Sequence, residues 1–146
     1  MSLKQLVKTM NVLAKTNKAE LAMVTSMRAT VADRIFAQGK DANGADIGLA
    51  KYGGEYSPSY LSQRKKKGLQ GSKVILQSGA QSGMKTDFSV INDGKNLGLG
   101  FLNEHNADKS EWVEDTYNKE IFKSTKDEIK LANAIFEKNV KEILNG

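Results

Sequence analysis

The sequence predicts an α+β domain in which helices flank a small antiparallel hairpin. Three observations carry that expectation. An amphipathic stretch with no Gly or Pro opens the chain, from Leu3 to Phe36. Asp93-Gly94 lies between two short, apolar-rich runs, a strong hairpin signal. A Thr-x-x-Glu capping box, Thr125 to Glu128, precedes a second amphipathic stretch. The order helix, long loop, hairpin, helices lacks strand–helix–strand alternation, which places it with α+β rather than α/β folds.

In the first stretch, apolar residues fall at Leu3, Val7, Met10, Ala14, Leu21, Val24, Val31 and Ile35, in alternating steps of four and three. Leu6, Leu13 and Met27 widen the stripe, and Asn17 and Arg28 fill its two polar slots. That periodicity predicts a helix lying on its own domain, with a near-heptad regularity that also suits a partner helix. Asn17-Lys18-Ala19-Glu20 resembles a capping box and is compatible with a break there into two helices.

From Gly39 to Lys73 the composition changes. Seven of the 13 glycines and the only proline, Pro58, lie there, with Asp41, Asn43 and Asp46 as turn formers. The segment is expected to be a long loop, mobile in the free subunit and ordered by neighbours. It carries Tyr52, Tyr56, Tyr60 and the basic run Arg64-Lys65-Lys66-Lys67. Val74-Ile75-Leu76 is a short apolar run that fits a strand or a helical turn.

Thr86–Ile91 and Leu97–Leu102 are expected to pair as strands around Asn92-Asp93-Gly94-Lys95-Asn96. Leu97, Leu99 and Phe101 would line one face, and Gly98 and Gly100 would leave the other open to close approach. Asp108 is expected to cap a helix through Trp112, Val113 and Tyr117 that runs on toward Ile121-Phe122. In the closing helix Ile129, Ala132, Ile135, Phe136, Val140 and Ile143 form one face.

Composition excludes several chemistries. The 146 residues fit one domain, 1–146, large enough to need no metal or disulfide staple. With no cysteine there is no disulfide framework, thiolate zinc site, iron–sulfur cluster or cysteine nucleophile. No apolar run approaches the ~18–20 residues of a membrane span. No hydrophobic stretch follows the basic start, so a soluble protein made in a cytoplasm is expected. Asp41-x-Asn43-Gly44-x-Asp46 has its glycine at the fourth rather than the sixth place, and Tyr52 where a calcium loop needs Glu. Gly98-Leu99-Gly100 lacks the third glycine of a dinucleotide fingerprint. Gly79-Ala80-Gln81-Ser82-Gly83 has its serine one place off a nucleophile elbow. Gly68-Leu69-Gln70-Gly71 resembles an RNA-binding GXXG loop, but its loop-rich flank argues against the two helices such a loop joins. His105, the only histidine, is a poor transition-metal site beside Glu104 and Asp108. The carboxylates Glu111, Glu114, Asp115, Glu120, Asp127 and Glu128 sit among lysines and are expected on solvated faces. No catalytic, metal or cofactor-binding set emerges, and an enzyme is not expected.

Charge is segregated. Residues 1–74 hold 13 Lys/Arg against 5 Asp/Glu, and residues 75–146 hold 9 against 12. Either a polyanion partner or contact between the basic surface of one copy and the acidic surface of the next accounts for such a split. Arg64, Lys65, Lys66 and Lys67 are the candidate assembly or DNA contacts, with Tyr52, Tyr56 and Tyr60 as loop aromatics.

The order of short motifs resembles the phage virion morphogenesis family, the tail-completion and neck proteins of tailed bacteriophages. The match opens with Arg34-Ile35-Phe36-x-x-Gly39-Lys40-Asp41-x-x-Gly44, followed by Tyr56-Ser57-x-x-Tyr60 and Arg64-Lys65-x-x-Gly68. Val74-Ile75-Leu76-Gln77-Ser78-Gly79, a hairpin ending in Gly98, and Ile121-Phe122-x-x-Thr125-x-x-Glu128 complete it, covering about residues 28–145. The resemblance implies a non-enzymatic virion component, assembled in the bacterial host cytoplasm as a homo-oligomeric ring at the head–tail junction. It would be a connector, tail-terminator or tail-completion component, without cofactor. Its implied partners are portal-side and tail-tube proteins, with non-specific DNA contact in the channel and no membrane. The competing class is a small nucleic-acid-binding accessory protein that uses Arg64–Lys67.

Overall fold

The computed structural model describes residues 2–71, 73–77, 83–94 and 96–145, with no account of the Thr9, Val12 and Leu13 side chains. The fold is α+β. The helices are α1 (Leu3–Phe36), α2 (Pro58–Lys66), α3 (Met84–Asp87), α4 (Glu104–Tyr117) and α5 (Lys126–Asn145); the strands are β1 (Phe88–Asn92) and β2 (Leu97–Phe101). Among the described residues, no helix is long and apolar enough to cross a membrane.

α1 is one continuous helix. Ser2 and Gln5 form its capping box, the Ser2 hydroxyl accepting from the Gln5 N–H at 3.2 Å and the Gln5 side chain accepting from the Ser2 N–H at 2.9 Å. The expected break at Asn17 does not occur. Ala19 within that motif is buried, and α1 packs along α5 there, so burial favours continuing the helix. From Ala19 onward the stripe is covered at Val24, Val31 and Ile35; before it, Leu3, Val7 and Met10 are exposed.

The core gathers at the C-terminal end of α1. Val31, Ile35 and Phe36 meet Ile47, Tyr56, Val74, Met84, Phe88 and Ile121. A row of aromatic contacts crosses it: Phe36 to Phe88 at 6.0 Å, Phe88 to Phe101 at 5.5 Å, and Phe101 to Phe122 at 5.5 Å.

The hairpin forms nearly as expected, with Phe88 opposite Phe101, Val90 opposite Leu99 and Ile91 opposite Gly98. Thr86 belongs to α3 rather than to the first strand. Period-two alternation places Phe88, Val90, Leu99 and Phe101 on one face, and Phe88, Leu99 and Phe101 join or pack against the core. On the other face Ile91 covers Gly100, where an added Cβ would lie 3.3 Å from the Ile91 side chain. The Arg28 Nε, from a polar slot of the α1 stripe, donates to the Phe88 carbonyl at 2.8 Å and ties the hairpin to α1. Lys95 of the turn and the Ser78-Gly79 end of the Val74 motif lie outside the described residues.

α4 starts earlier and stops sooner than the sequence predicts. Asn103, not Asp108, caps it, its side chain accepting from the His105 N–H at 2.9 Å. Asn118 adopts a left-handed conformation (φ 51°), and the Lys119 N–H bonds back to the Glu114 carbonyl at 3.1 Å, so the helix ends at Tyr117. The Thr125–Glu128 box forms as expected: Glu128 N–H donates to the Thr125 hydroxyl at 3.1 Å and Thr125 N–H donates to the Glu128 carboxylate at 3.3 Å.

The segment 39–73 is not loop throughout. Ile47, Tyr56 and Val74 anchor it in the core, Lys40 pairs with Asp46 in a bridge, and α2 occupies its second half. Asp41 closes the turn by accepting from Asn43 N–H at 2.8 Å and Ala45 N–H at 3.0 Å. Two glycines are required there. An added Cβ at Gly39, which has φ +66°, would sit 2.5 Å from the Val74 carbonyl oxygen, and one at Gly48 would sit 1.9 Å from that of Gly54. Burial of Ile47 and Tyr56 offsets the conformational entropy that a glycine-rich segment loses on ordering.

Candidate assembly surface around α2

Pro58 starts α2 at a position where its missing N–H and fixed φ fit the first helical turn. Gly68 ends it with φ +70°: Gly68 N–H bonds to the Lys65 carbonyl at 3.1 Å, and Leu69 N–H to that of Arg64 at 2.9 Å. That pairing is the Schellman stop. Tyr56, Tyr60 and Arg64 are spaced four apart, so they share one side of the segment.

The four cations do not act as one patch. Arg64 is only 3% exposed. Its Nε donates to the Gln70 carbonyl at 2.9 Å and its Nη1 to the Gln77 carbonyl at 2.7 Å. The guanidinium lies 4.4 Å over the Tyr56 ring and 5.9 Å from that of Tyr60. Arg64 therefore faces its own chain and is withdrawn from the candidate contact. A planar guanidinium can bond two carbonyls and stack on a ring at once, which a lysine cannot. Lys65, Lys66 and Lys67 are exposed and make no ion pair among the described residues. They stand at the C-terminal end of α2, where the helix dipole favours cations.

The tyrosines divide likewise. Tyr56 is buried, and its hydroxyl accepts from the N–H groups of Ile75 at 3.3 Å and Leu76 at 3.2 Å. Burial, opposed by the Arg64 charge, pushes its phenol above the ordinary range. Leu76 takes a left-handed backbone (φ 54°), held between the Tyr56 contact and the Arg64 bond to the next residue's carbonyl. Tyr60 remains partly exposed, edge-on to Tyr56 at 5.2 Å. Tyr52 is half-buried in a short 3-10 turn, Ala50–Tyr52, with the Lys51 ammonium 4.9 Å from its ring.

A cavity of about 190 Å³ lies between α2 and α4, lined by Tyr56, Tyr60, Arg64, Met84, Val113 and Tyr117. It is smaller than the ~300–1,000 Å³ of ordinary ligand pockets. Among the described residues, no group of three or more His, Asp or Glu converges as metal ligands do.

Two features escaped the sequence reading. Glu128 is buried, not solvated: its carboxylate accepts from Arg34 Nε at 2.6 Å. Arg34 also donates to the carbonyls of Lys40 at 3.1 Å, Ile121 at 3.0 Å and Lys123 at 2.9 Å, so one guanidinium joins α1, the Asp41 turn and the start of α5. Trp112 is exposed on the outer side of α4. The capping box pointed to Glu128 but carried no sign of its distant partner. Comparison with known proteins finds no matching family model, no matching curated protein and no matching solved structure.

Proposed function

We propose that this chain is a non-enzymatic structural protein of a tailed-phage virion, assembling as a homo-oligomeric ring where the tail meets the head. Its neighbours there would be portal-side and tail-tube proteins. One observation carries the reading. The two most distinctive segments of the resemblance, Arg34-Ile35-Phe36 and Thr125-x-x-Glu128, meet in the fold through the buried Arg34–Glu128 pair. Their contact supports treating the two segments as parts of one structural junction. Exposed Lys65, Lys66 and Lys67 supply a basic surface for contact with an acidic neighbour.

The test is the mass and shape of the particle formed by the full chain, by native mass spectrometry and electron microscopy. Closed rings are expected, together with portal, capsid and tail-tube genes beside its own. A chain that is monomeric at high concentration and absent from tailed particles overturns the reading.

A second reading, a nucleic-acid-binding accessory protein, draws on the same three exposed lysines. Burial of Arg64 leaves it one cation fewer than the sequence promised.

A further inference from the structure

Two surfaces of this chain are opposite in charge and uncovered by the rest of it. At ~1.5 Å per residue, the 34-residue α1 runs roughly 51 Å and the 20-residue α5 roughly 30 Å. Their antiparallel pairing starts at Arg34 and Glu128 and reaches Lys15 and Ala19 beside Glu142 and Ile143. The start of α1, residues 3–10, therefore extends past the end of α5. Every side chain described from Ser2 to Lys15 is exposed or half-exposed. Leu3, Leu6, Val7 and Met10 form an apolar stripe there, Leu3 being 76% and Met10 60% exposed. Lys4 and Lys8 run beside it, and no acidic residue precedes Glu20.

α4 carries the complement. Its sequence holds five acids and one lysine. Trp112, 59% exposed, stands among Asp108, Glu111 and Asp115, with the His105 ring edge-on at 6.2 Å. Asp108, Glu111, Asp115, Lys4 and Lys8 make no ion pair among the described residues. Tryptophan is enriched among interface hot spots, and the acids around Trp112 complement a basic partner surface.

We propose that residues 3–10 of α1 dock on the Trp112 side of α4 in a second copy of this chain. The inference rests on the ring reading and names its contact. Lys4 and Lys8 are one helical turn apart, as are Asp108 and Glu111, and Glu111 and Asp115, so the two charged rows match in spacing. A chain cannot satisfy its own α4. α1 is one continuous helix, and Lys8 lies 23 residues, roughly 35 Å, along it from Val31 of the core against which α4 packs. The contact is head-to-tail, and such contacts close into rings when the rotation permits.

Trp112 is the only tryptophan, so its fluorescence reports on this side of α4 directly. In a concentration series of the full chain, followed by sedimentation, a rise in mass and a blue shift of Trp112 emission should occur together. A Leu3→Ser, Val7→Ser, Met10→Ser variant should keep its circular dichroism and thermal midpoint yet stay monomeric, with unshifted emission. A Lys4→Glu, Lys8→Glu variant and an Asp108→Lys, Glu111→Lys, Asp115→Lys variant should each be monomeric alone and associate when mixed. If the wild type assembles and these variants assemble equally well, the docking contact is wrong and the ring reading stands. Loss of assembly in the α1 variants alone would mean that α1 ends pair with each other, which also overturns the contact. A monomeric wild type that sediments with phosphatidylglycerol vesicles through Lys4 and Lys8 would overturn it in favour of a membrane surface.

Discussion

Arg34 and Glu128 meet 2.6 Å apart, both buried, across 94 residues of sequence. The guanidinium also holds three backbone carbonyls, so its charge is solvated by the protein on every arm. Removing one partner of such a pair leaves the other buried without compensation. Arg34→Ala or Glu128→Ala should each destabilise the fold by about 3–5 kcal/mol. The paired replacement Arg34→Met, Glu128→Leu should be milder than the two single losses together. Urea denaturation of the three variants measures the coupling.

Arg64 should behave as a fold residue and its neighbours should not. Arg64→Met removes two charged hydrogen bonds and should lower stability by about 2–4 kcal/mol. It should also free 70–77, seen as faster proteolysis there. Lys65→Gln, Lys66→Gln and Lys67→Gln together should lower the denaturation midpoint far less than Arg64→Met, losing only their dipole contacts.

The same triple lysine variant decides between the two functional readings. If the lysines meet a protein neighbour, ring formation or head–tail joining falls while DNA affinity stays weak. If they meet phosphates, the wild type binds DNA well, and the slope of log K against log salt shrinks by up to ~0.9 for each lost contact. Filter binding across a salt series measures it.

Alkaline pH should weaken the fold. Burial pushes the Tyr117 phenol up to about 12 and raises Tyr56 as well. Below about 10, both folded and unfolded states keep these phenolic protons, and the two tyrosines add no pH dependence. Between about 10 and 12 the unfolded phenol ionises while the folded one stays neutral, so stability falls as pH rises. Ultraviolet titration of the folded chain should show a late phenol, and Tyr117→Phe should remove it.

Gly48→Ala should destabilise more than Gly44→Ala. At Gly48 the new methyl would meet the Gly54 backbone at 1.9 Å, whereas Gly44 has open space and only a positive φ to oppose it. Thermal melts of the two variants test the difference.

The elements legible in the sequence are those whose signals are local. Periodicity marked α1 and α5, Asp93-Gly94 marked the hairpin, and the Thr125 box marked the start of α5. α2 was missed because Pro58–Lys66 has no apolar stripe; among its described side chains Leu61 alone is an apolar group packed against the core. Its stability comes from Arg64 and Tyr56, contacts that no local pattern encodes. The signals that could have revealed it were Pro58 and Gly68 bracketing a helix length, and the four-residue spacing of Tyr56, Tyr60 and Arg64. The candidate site was half legible. Three lysines are where a contact could use them, while Arg64, identical in charge, faces inward because carbonyls and a ring were within its reach.

The Arg34–Glu128 junction also sets a schedule for biosynthesis. Val24 and its neighbours on α1 emerge long before the α5 residues that pack along that helix. At ~5–20 residues per second, roughly 5–20 s of translation separate Arg34 from Glu128. During that interval the nascent chain displays a bare greasy ridge to the ribosome's surroundings. That face has no α5 to pack on until residues 126–145 are made.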